Sequence, residues 1–540
     1  MNKPMRDKRL AKKPIMRDSI ESLPAIAMDI QWPEQHLLVV GLGESGFACC
    51  RWLLRKGARI TVIDSRTAPP MLNAAKVLAQ EYPRLTIQTG VATPFSTDWL
   101  DGIQFLIPSP GISPYPAHDS PIAGLLSCAR DALAHQLSVV GEIDLFEWAV
   151  HDAAQARRQS NMTANDDAPL DRPKILAITG TNGKTTTTQM TTVLLRRAGI
   201  DAQEAGNISP SLLDAVMMRE DTCRFPQVWV LELSSFQLAL AQHFHPTAAV
   251  LLNLSEDHLD WHLDWDDYKS AKARVFGVSI DPMTSGVQCI VNRQDTESSA
   301  CAQGQVNVTR FGIDLPMECG DFGLIEEGIQ WMVVRDLQDA ERCHRLMPAD
   351  ALRIRGRHNA MNALAALALC RTVTPALAPL LHGLREFRGG AHRMEWVAHV
   401  QGVDYVDDSK GTNVGATTAA LEGLRLPVVL IAGGQGKGQN FQPLAAALQS
   451  RAKAVITIGE AGPEIGEIAR RAGVPSEHVA SMNEAVQRAH YYASQDDAVN
   501  TVVLMSPACA SFDMFSNYIA RARSFRESVA ALAQEQGLTC

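Results

Sequence analysis

Residues 174–187 read KILAITGTNGKTTT, an apolar run that breaks into Gly180-Thr-Asn-Gly-Lys-Thr185 and resumes as a segment reaching about Ala198. The pattern predicts a buried strand over Lys174–Thr179 and a helix after the turn. Backbone N–H groups in such a glycine-rich turn, with a helix N-terminus behind them, cradle phosphate oxygens. Gly180, Thr181, Asn182, Gly183, Lys184, Thr185 and Thr186 are therefore candidate nucleotide contacts. Lys184 would reach the β/γ-phosphates, and the Thr185 hydroxyl would hold Mg²⁺. The strict G-x-x-x-x-G-K-[ST] pattern wants glycine at 178, where Ile178 stands. An ordinary strand–turn–helix with a surface lysine is the alternative, and the flanks favour an ATP-type site.

Acidic clusters follow at the ends of the next two apolar runs, Val228–Leu233 and Ala248–Leu252. Glu232 interrupts VLELSSFQ (230–237), and a carboxylate buried in a strand is costly unless a metal or cation meets it. NLSEDHLD (253–260) sets carboxylates and His258 just past the other strand, where ligands bind in open α/β sheets. His258 and His262 stand four apart like a zinc pair, but there is no HExxH and no third ligand. Oxygen-rich ligands suit Mg²⁺ better. Lys272, in YKSAKAR (268–274), reads from spacing alone as a solvated helix lysine.

Upstream, ordered sequence is expected to begin at Leu37. Leu37–Val40, the turn Gly41-Leu-Gly-Glu-Ser-Gly46, helical spacing over Phe47–Lys56 and the run Arg59–Ile63 ending at Asp64 make a βαβ opening. The G-x-G-x-x-G turn with an acid about 20 residues on fits NAD, but a UDP diphosphate meets the same physical demand. Phe105–Ile107 is a further strand, ending in Ser109-Pro-Gly111. Residues 151–172 lack apolar periodicity and read as an exposed polar insertion. A second break falls near 387–391, and strands follow at Val403–Val406, Val428–Ala432, Ala454–Ile458 and Thr501–Met505. Strands alternating with helices in all three regions predict parallel α/β sheets throughout.

The chain has 540 residues, 46% of them hydrophobic and 20% charged, which implies about three domains. Collagen-like, disordered and coiled-coil classes are excluded, and no apolar stretch nears the ~20 residues of a membrane span. A formal net charge of −9 gives no reason to expect nucleic acid or an anionic membrane as partner. The 11 cysteines form no CxxC pair or disulfide framework, which fits a reducing, cytoplasmic home. Residues 1–18 are basic, with no apolar segment of signal-peptide type behind them, and read as a solvated, disordered start.

Taken in order, these segments resemble the Mur ligase family, and within it the enzymes that add D-glutamate in peptidoglycan synthesis. Further carriers are Gly206-Asn207, Arg357-His-Asn359, His392-Arg393, DDSKGTN (407–413), GGQGK (433–437) and SPACASFD (506–513). The resemblance covers about 37–535. It implies an α/β fold in three domains: a Rossmann-like UDP-binding domain (37–138), a central P-loop ATPase-type domain (139–389) and a C-terminal Rossmann-like domain (390–540), with 1–36 as a basic disordered tail.

The resemblance further implies that the carboxylate of UDP-N-acetylmuramoyl-L-alanine attacks the γ-phosphate of ATP, and that the amine of D-glutamate then attacks the acyl phosphate. Two Mg²⁺ ions are implied, with Thr185, Glu232, His258 and a carbamylated Lys272 as ligands. Lys184, His258 and Lys272 are the catalytic candidates. Asn359, Arg393 and Asp408 resemble nucleotide contacts, and Asn207 a contact to both substrate and nucleotide. Lys410, Thr412, Lys437, Ser511 and Phe512 would surround the acceptor amino acid. Glu44, Ser45, Asp64, Ser65 and Arg66 would hold the UDP group. A monomer that closes its third domain onto its second is expected.

Three positions depart from the family's pattern: Gln435 where Asp is common, Tyr518 where Phe is usual, and Glu44 where an apolar residue is frequent. An NAD-dependent oxidoreductase would leave the ATPase-like centre without a purpose. A GTPase-type switch would leave Lys410, Lys437 and 506–513 unexplained. Ligases adding L-alanine, diaminopimelate, lysine or folate glutamates are nearer rivals, and GLGESG, DDSKGTNVGAT and SPACASFD favour D-glutamate.

Overall fold

The computed structural model describes residues 30–115, 118, 120–126, 137–161, 172–278, 286–339, 341–354, 356–390, 392–424, 426–436, 438–495 and 500–536. Their strands form three sheets. The first contains β1 (His36–Val40), β2 (Arg59–Asp64), β3 (Leu85–Thr89), β4 (Phe105–Pro108) and β5 (Ser138–Val139), in the order β3-β2-β1-β4-β5. All its pairings are parallel. Val40 lies beside Ile63, so the glycine turn leaves the sheet next to Asp64. Gly46 is required there, because a Cβ would sit 2.1 Å from the Gly41 carbonyl oxygen.

The second sheet has nine strands: β6 (Lys174–Thr179), β7 (Ala202–Gly206), β8 (Val228–Glu232), β9 (Ala248–Leu251), β10 (Gln288–Asn292), β11 (Val308–Phe311), β12 (Phe322–Glu327), β13 (Ile329–Arg335) and β14 (Cys343–Pro348). Their order is β14-β13-β12-β11-β10-β9-β6-β8-β7. The third has β15 (Glu395–Val400), β16 (Val403–Asp407), β17 (Val428–Gly433), β18 (Ala452–Ile458), β19 (Ser476–His478) and β20 (Thr501–Met505), ordered β15-β16-β20-β17-β18-β19. Central strands such as β8, β17 and β20 are buried along their whole length, as both-faced parallel strands must be.

Three expectations are corrected. Parallel pairing does not hold throughout: β12, β13 and β14 run antiparallel, as do β15 and β16. Only Gln401 and Gly402, both at positive φ, join β15 to β16, and two residues make a hairpin but never a parallel crossover. Order begins before Leu37, because Trp32 opens a short 3₁₀ turn and is buried against Trp52, Phe105 and Trp148. The stretch expected to be an insertion from 151 instead continues the helix Glu142–Asn161. Its alanines, glutamines and arginines sustain a helix without an apolar stripe. Residues 162–171 of that stretch, and 1–29 of the basic start, lie outside the described residues.

That helix joins the first two sheets. Trp148 packs edge-on to Trp32 and Phe105 on one side, and Phe146 edge-on to Trp229 of β8 on the other. Each ring so buried contributes about 1.5–3 kcal/mol. The helix thereby brings the glycine turn of the first sheet within reach of the second. No helix among the described residues is long and apolar enough to cross a membrane.

Candidate active site

β6 lies between β8 and β9, and the loops leaving the carboxyl ends of these strands face one cavity of about 660 Å³. The third sheet closes its other side with the segment after β16 and the helix Val414–Gly423. The wall includes Thr181, Asn182, Gly183, Lys184, Thr185, Thr186, Asn207, Glu232, His258, Lys272, Asn359, Arg393, Asp408, Lys410 and Thr412. Residues far apart in sequence are thus brought together: Asn413 Nδ2 donates to Asn182 Oδ1, 231 positions away, at 3.1 Å.

Gly183 precedes the helix Lys184–Arg197 at φ 85°, and a Cβ there would stand 2.5 Å from Asn362 Oδ1. The turn therefore demands glycine, and it leaves the helix's first N–H groups pointing at the cavity. Lys184 Nζ donates to the carbonyls of Gly180 (2.8 Å) and Thr181 (2.9 Å). Lys272 Nζ donates to the same Gly180 carbonyl at 2.8 Å. Among the described residues neither lysine has an acidic partner within 4.0 Å, the two charges repel, and burial holds both below the usual lysine range. An anion such as a phosphate would relieve this strain in charge. Lys272 is only 2% exposed, which corrects its reading as a solvated helix lysine. Burial follows from the helix Trp265–Ala273 turning this face onto the loop, where the Lys272 ammonium also sits 4.9 Å from the Tyr268 ring centre.

Glu232 ends β8, 2% exposed. Its Oε1 accepts from Asn207 Nδ2 at 3.0 Å, while Oε2 is buried with no hydrogen-bond partner among the described residues. An orphaned carboxylate oxygen beside a phosphate loop fits a hard divalent cation. His258 takes φ 57° and packs its ring 4.7 Å from that of Phe236, with Nε2 3.6 Å from Asp257 Oδ2. His262 turns away to Asp267 and Ser235, so the pair does not converge on one metal. Among the described residues, the group His392, Glu395 and Asp407 brings its ligand atoms within 4.8 Å of one another, outside this cavity. Arg526 pairs with both acids and supplies the positive charge a metal would.

On the opposite wall, Asp408 is buried and its carboxyl pushed up to about 7, chiefly by desolvation, although Ser506 Oγ donates to it at 2.7 Å. Arg393 is pulled below its usual range by burial. Lys410 Nζ stands 4.1 Å from the centre of the Tyr518 ring, and desolvation followed by the charge of Arg393 lowers its ammonium as well. Lys184, Lys272, Arg393 and Lys410 set four basic side chains on the wall, facing the carboxyls of Glu232, Asp257, Asp295 and Asp408.

The first-sheet candidates stand apart from this cavity. Asp64 accepts from Leu42 N at 2.7 Å and from Arg66 N and Nε at 2.8 and 2.9 Å, and so braces the glycine turn. Ser45 lies at the start of the helix Glu44–Arg55, with Glu44, Ser65 and Arg66 exposed around it. Ser511 is buried and Phe512 is 68% exposed, neither on the cavity wall. Lys437 lies outside the described residues. Gln435 exchanges backbone hydrogen bonds with Ala510. The wall also holds Ser235, Phe236, Asp257 and Asn413, to which sequence reading assigns no role. The spacing of Asn413 carries no signal, because its partners belong to another sheet.

Three family descriptions match in sequence order: "Mur ligase MurD-like, N-terminal domain" over 35–118, "Mur ligase middle domain" over 178–370 and "Mur ligase, glutamate ligase domain" over 392–509. A UDP-N-acetylmuramoylalanine--D-glutamate ligase of Bordetella pertussis (strain Tohama I) is 44% identical over 93% of this chain and 97% of its own length. One of the same name from Burkholderia pseudomallei (strain 668) is 46% identical over 93% and 98%. Among solved structures, a pseudomurein peptide ligase type C from Methanothermus fervidus superposes with a TM-score of 0.51 at 16% identity, covering 92% of this chain and all of that one. MurF from Acinetobacter baumannii gives 0.50 at 18% identity over 72% and 82%. These two share the fold. Three matched segments in order, and identity sustained over almost the whole chain, show that the protein belongs to the Mur ligase family.

Proposed function

We propose that the protein is an ATP-dependent amide-bond ligase that adds D-glutamate to UDP-N-acetylmuramoyl-L-alanine. The observation that carries this reading is the cavity itself: a phosphate loop and an orphaned carboxylate on one wall, and Arg393, Asp408 and Lys410 on the other. The names of the 44–46% identical relatives support the substrate pair. The units are taken as 37–138 for the UDP group, 139–389 for ATP and 390–540 for the amino acid. The protein is taken to act as a monomer. An enzyme consuming ATP and a UDP-linked precursor belongs in the cytoplasm.

A carboxylate is a poor electrophile, and phosphorylation supplies its leaving group. The γ-phosphoryl passes to the L-alanyl carboxylate, ADP leaves, and the D-glutamate amine displaces phosphate from the acyl carbon. Lys184 and the helix N-terminus behind it neutralise the phosphates being transferred. Arg393 and Lys410 offer charge to phosphate and to the acceptor's carboxylates. Glu232, Thr185 and His258 would hold Mg²⁺, which lowers the repulsion between substrate carboxylate and phosphate. A buried Lys272, held below the usual lysine range by desolvation and by Lys184, suits carbamylation: its neutral amine adds CO₂, a C–N bond forms, and one proton is released. The product is an anionic oxygen ligand beside Glu232.

The test is phosphate release with ATP, Mg²⁺ and UDP-N-acetylmuramoyl-L-alanine against D-glutamate, L-alanine, L-lysine and diaminopimelate. Release is expected with D-glutamate alone. Equal turnover with L-alanine or diaminopimelate would overturn the assignment.

A further inference from the structure

His262 enters none of these steps, yet it sits where the candidate ligands' supports meet. It is fully buried. Its Nδ1 lies 2.8 Å from Asp267 Oδ2, and its Nε2 lies 3.0 Å from Ser235 Oγ. An ionised carboxylate only accepts, so Nδ1 carries a proton toward Asp267, and Nε2 shares the second hydrogen bond with the Ser235 hydroxyl. Asp267 is itself gripped across the boundary between sheets, because Tyr115 Oη donates to its Oδ1 at 2.6 Å. Burial opposes the charge on Asp267, but the His262 and Tyr115 hydrogen bonds outweigh it and hold the carboxyl below its usual range. The main chain is tied down as well: Ser113 Oγ donates to Trp261 O at 2.7 Å, and His118 Nε2 lies 2.9 Å from His262 O.

Around the imidazole stand three supports. Ser235 follows Glu232 by three residues and begins the helix Ser235–Leu240. The Phe236 ring stacks on His262 at 5.9 Å and meets His258 edge-on at 4.7 Å. The Tyr268 ring meets His262 edge-on at 5.3 Å, receives the Lys272 ammonium on its face, and places its hydroxyl 2.9 Å from Thr181 Oγ1 of the phosphate loop. The Ser–His–Asp spacing is that of a nucleophilic triad, but His262 is sealed from any substrate, so the arrangement can orient and cannot attack. We infer that His262 is a positioning residue for the ligase reaction: oriented by Asp267, it sets Ser235, Phe236 and Tyr268, and through them Glu232, His258 and Lys272. This rests on the function proposed above for the same cavity.

The test uses the full chain, with steady-state turnover and, independently of substrate, Mn²⁺ binding to the enzyme with ADP read by electron paramagnetic resonance. His262→Phe is expected to lower kcat and weaken Mn²⁺ binding, each about 10–100-fold, while the KM for the UDP-linked substrate stays within about threefold and melting within a few degrees. His262→Gln, whose amide can reach Ser235, is expected to keep kcat within about tenfold of wild type, and His262→Asn, whose amide reaches only Asp267, to fall with the Phe variant. A folded His262→Phe with wild-type kcat and Mn²⁺ affinity, or equal Gln and Asn variants, overturns the inference. Should His262→Phe not fold, Ser235→Ala decides: about a tenfold loss in kcat at unchanged melting supports it, and wild-type kcat overturns it. A wild type inactive with the named substrates overturns the functional reading, and the Mn²⁺ arm then still decides the role of His262.

Discussion

Two ammonium groups on one carbonyl oxygen form the most telling contact at the scale of single residues. Lys184 and Lys272 both donate to Gly180 O at 2.8 Å, and among the described residues Glu232 and Asp257 favour their charges without coming within ion-pair distance. A phosphate would answer Lys184, and conversion to a carbamate would answer Lys272. The two roles make different predictions. Lys272→Ala should nearly abolish turnover, and acetate or formate in the tens of millimolar should restore part of it by placing a carboxylate where the carbamate stood. Lys272→Arg keeps the cation and cannot be carbamylated, so it should stay inactive with or without added acid. Full activity in the unrescued alanine variant would remove the carbamate role. Nothing in the spacing of YKSAKAR distinguishes Lys272 from Lys269, which is partly exposed and paired with Asp266 and Glu297. What separates them is which helix face meets the loop, a tertiary fact that enters sequence reading only through resemblance.

Among elements, the helix Glu142–Asn161 carries an unusual load, with Glu142, Asp144 and Glu147 all buried in its first two turns. Asp144 accepts from the backbone N–H groups of Gly141, Gln242 and His243 at 2.7–2.8 Å, and Glu147 from that of His245 at 2.8 Å. Glu142 faces Ser45 of the glycine turn, Gln237 and the Leu213 amide, and burial pushes its carboxyl up to about 7. A raised carboxyl contributes fully below its ordinary value near 4.5, and that contribution is lost as pH climbs through about 7. Glu142→Gln should therefore gain on wild type between pH 5 and 8, by about 1–3 kcal/mol or roughly 2–6 °C in melting temperature at the upper end. Melting scans across that range check it, and a difference that ignores pH would sink it. Elements differ in how plainly they can be read. β6 and β20 are legible to the residue, because continuous apolar runs stop at glycine or Ser-Pro. β14, reading CHRLMP at a sheet edge, has no such run and leaves no trace in the pattern. The helix past residue 150 hides for the opposite reason, since propensity alone sustains it.

For the whole molecule, the question is how groups on two sheets come to share one cavity. The motifs that line it are visible in the chain, but their meeting is not, because Asn413 finds Asn182 and Asp257 only across the seam between the second and third units. That seam is narrow at Gly415, where an added Cβ would stand 3.1 Å from Asn182 Nδ2 and 3.5 Å from Ser255 Oγ. The glycine lies inside the helix Val414–Gly423 at no positive φ, so its backbone tolerates any side chain and only the approach of the other unit restricts it. Substitution there should act as a graded wedge. Gly415→Ala needs a shift of a few tenths of an ångström and, with better helix propensity, should keep most activity and melt no lower than wild type. Gly415→Leu should hold Arg393 and Lys410 about an ångström or more from the phosphate loop, and such misplacement costs about 100-fold in kcat. Because no hydrophobic core includes the position, the leucine variant should melt within a few degrees of wild type. Turnover and melting measured together separate a wedge from an unfolded chain. Wild-type kcat in a well-folded Gly415→Leu would mean that the reaction does not need the two walls at this distance.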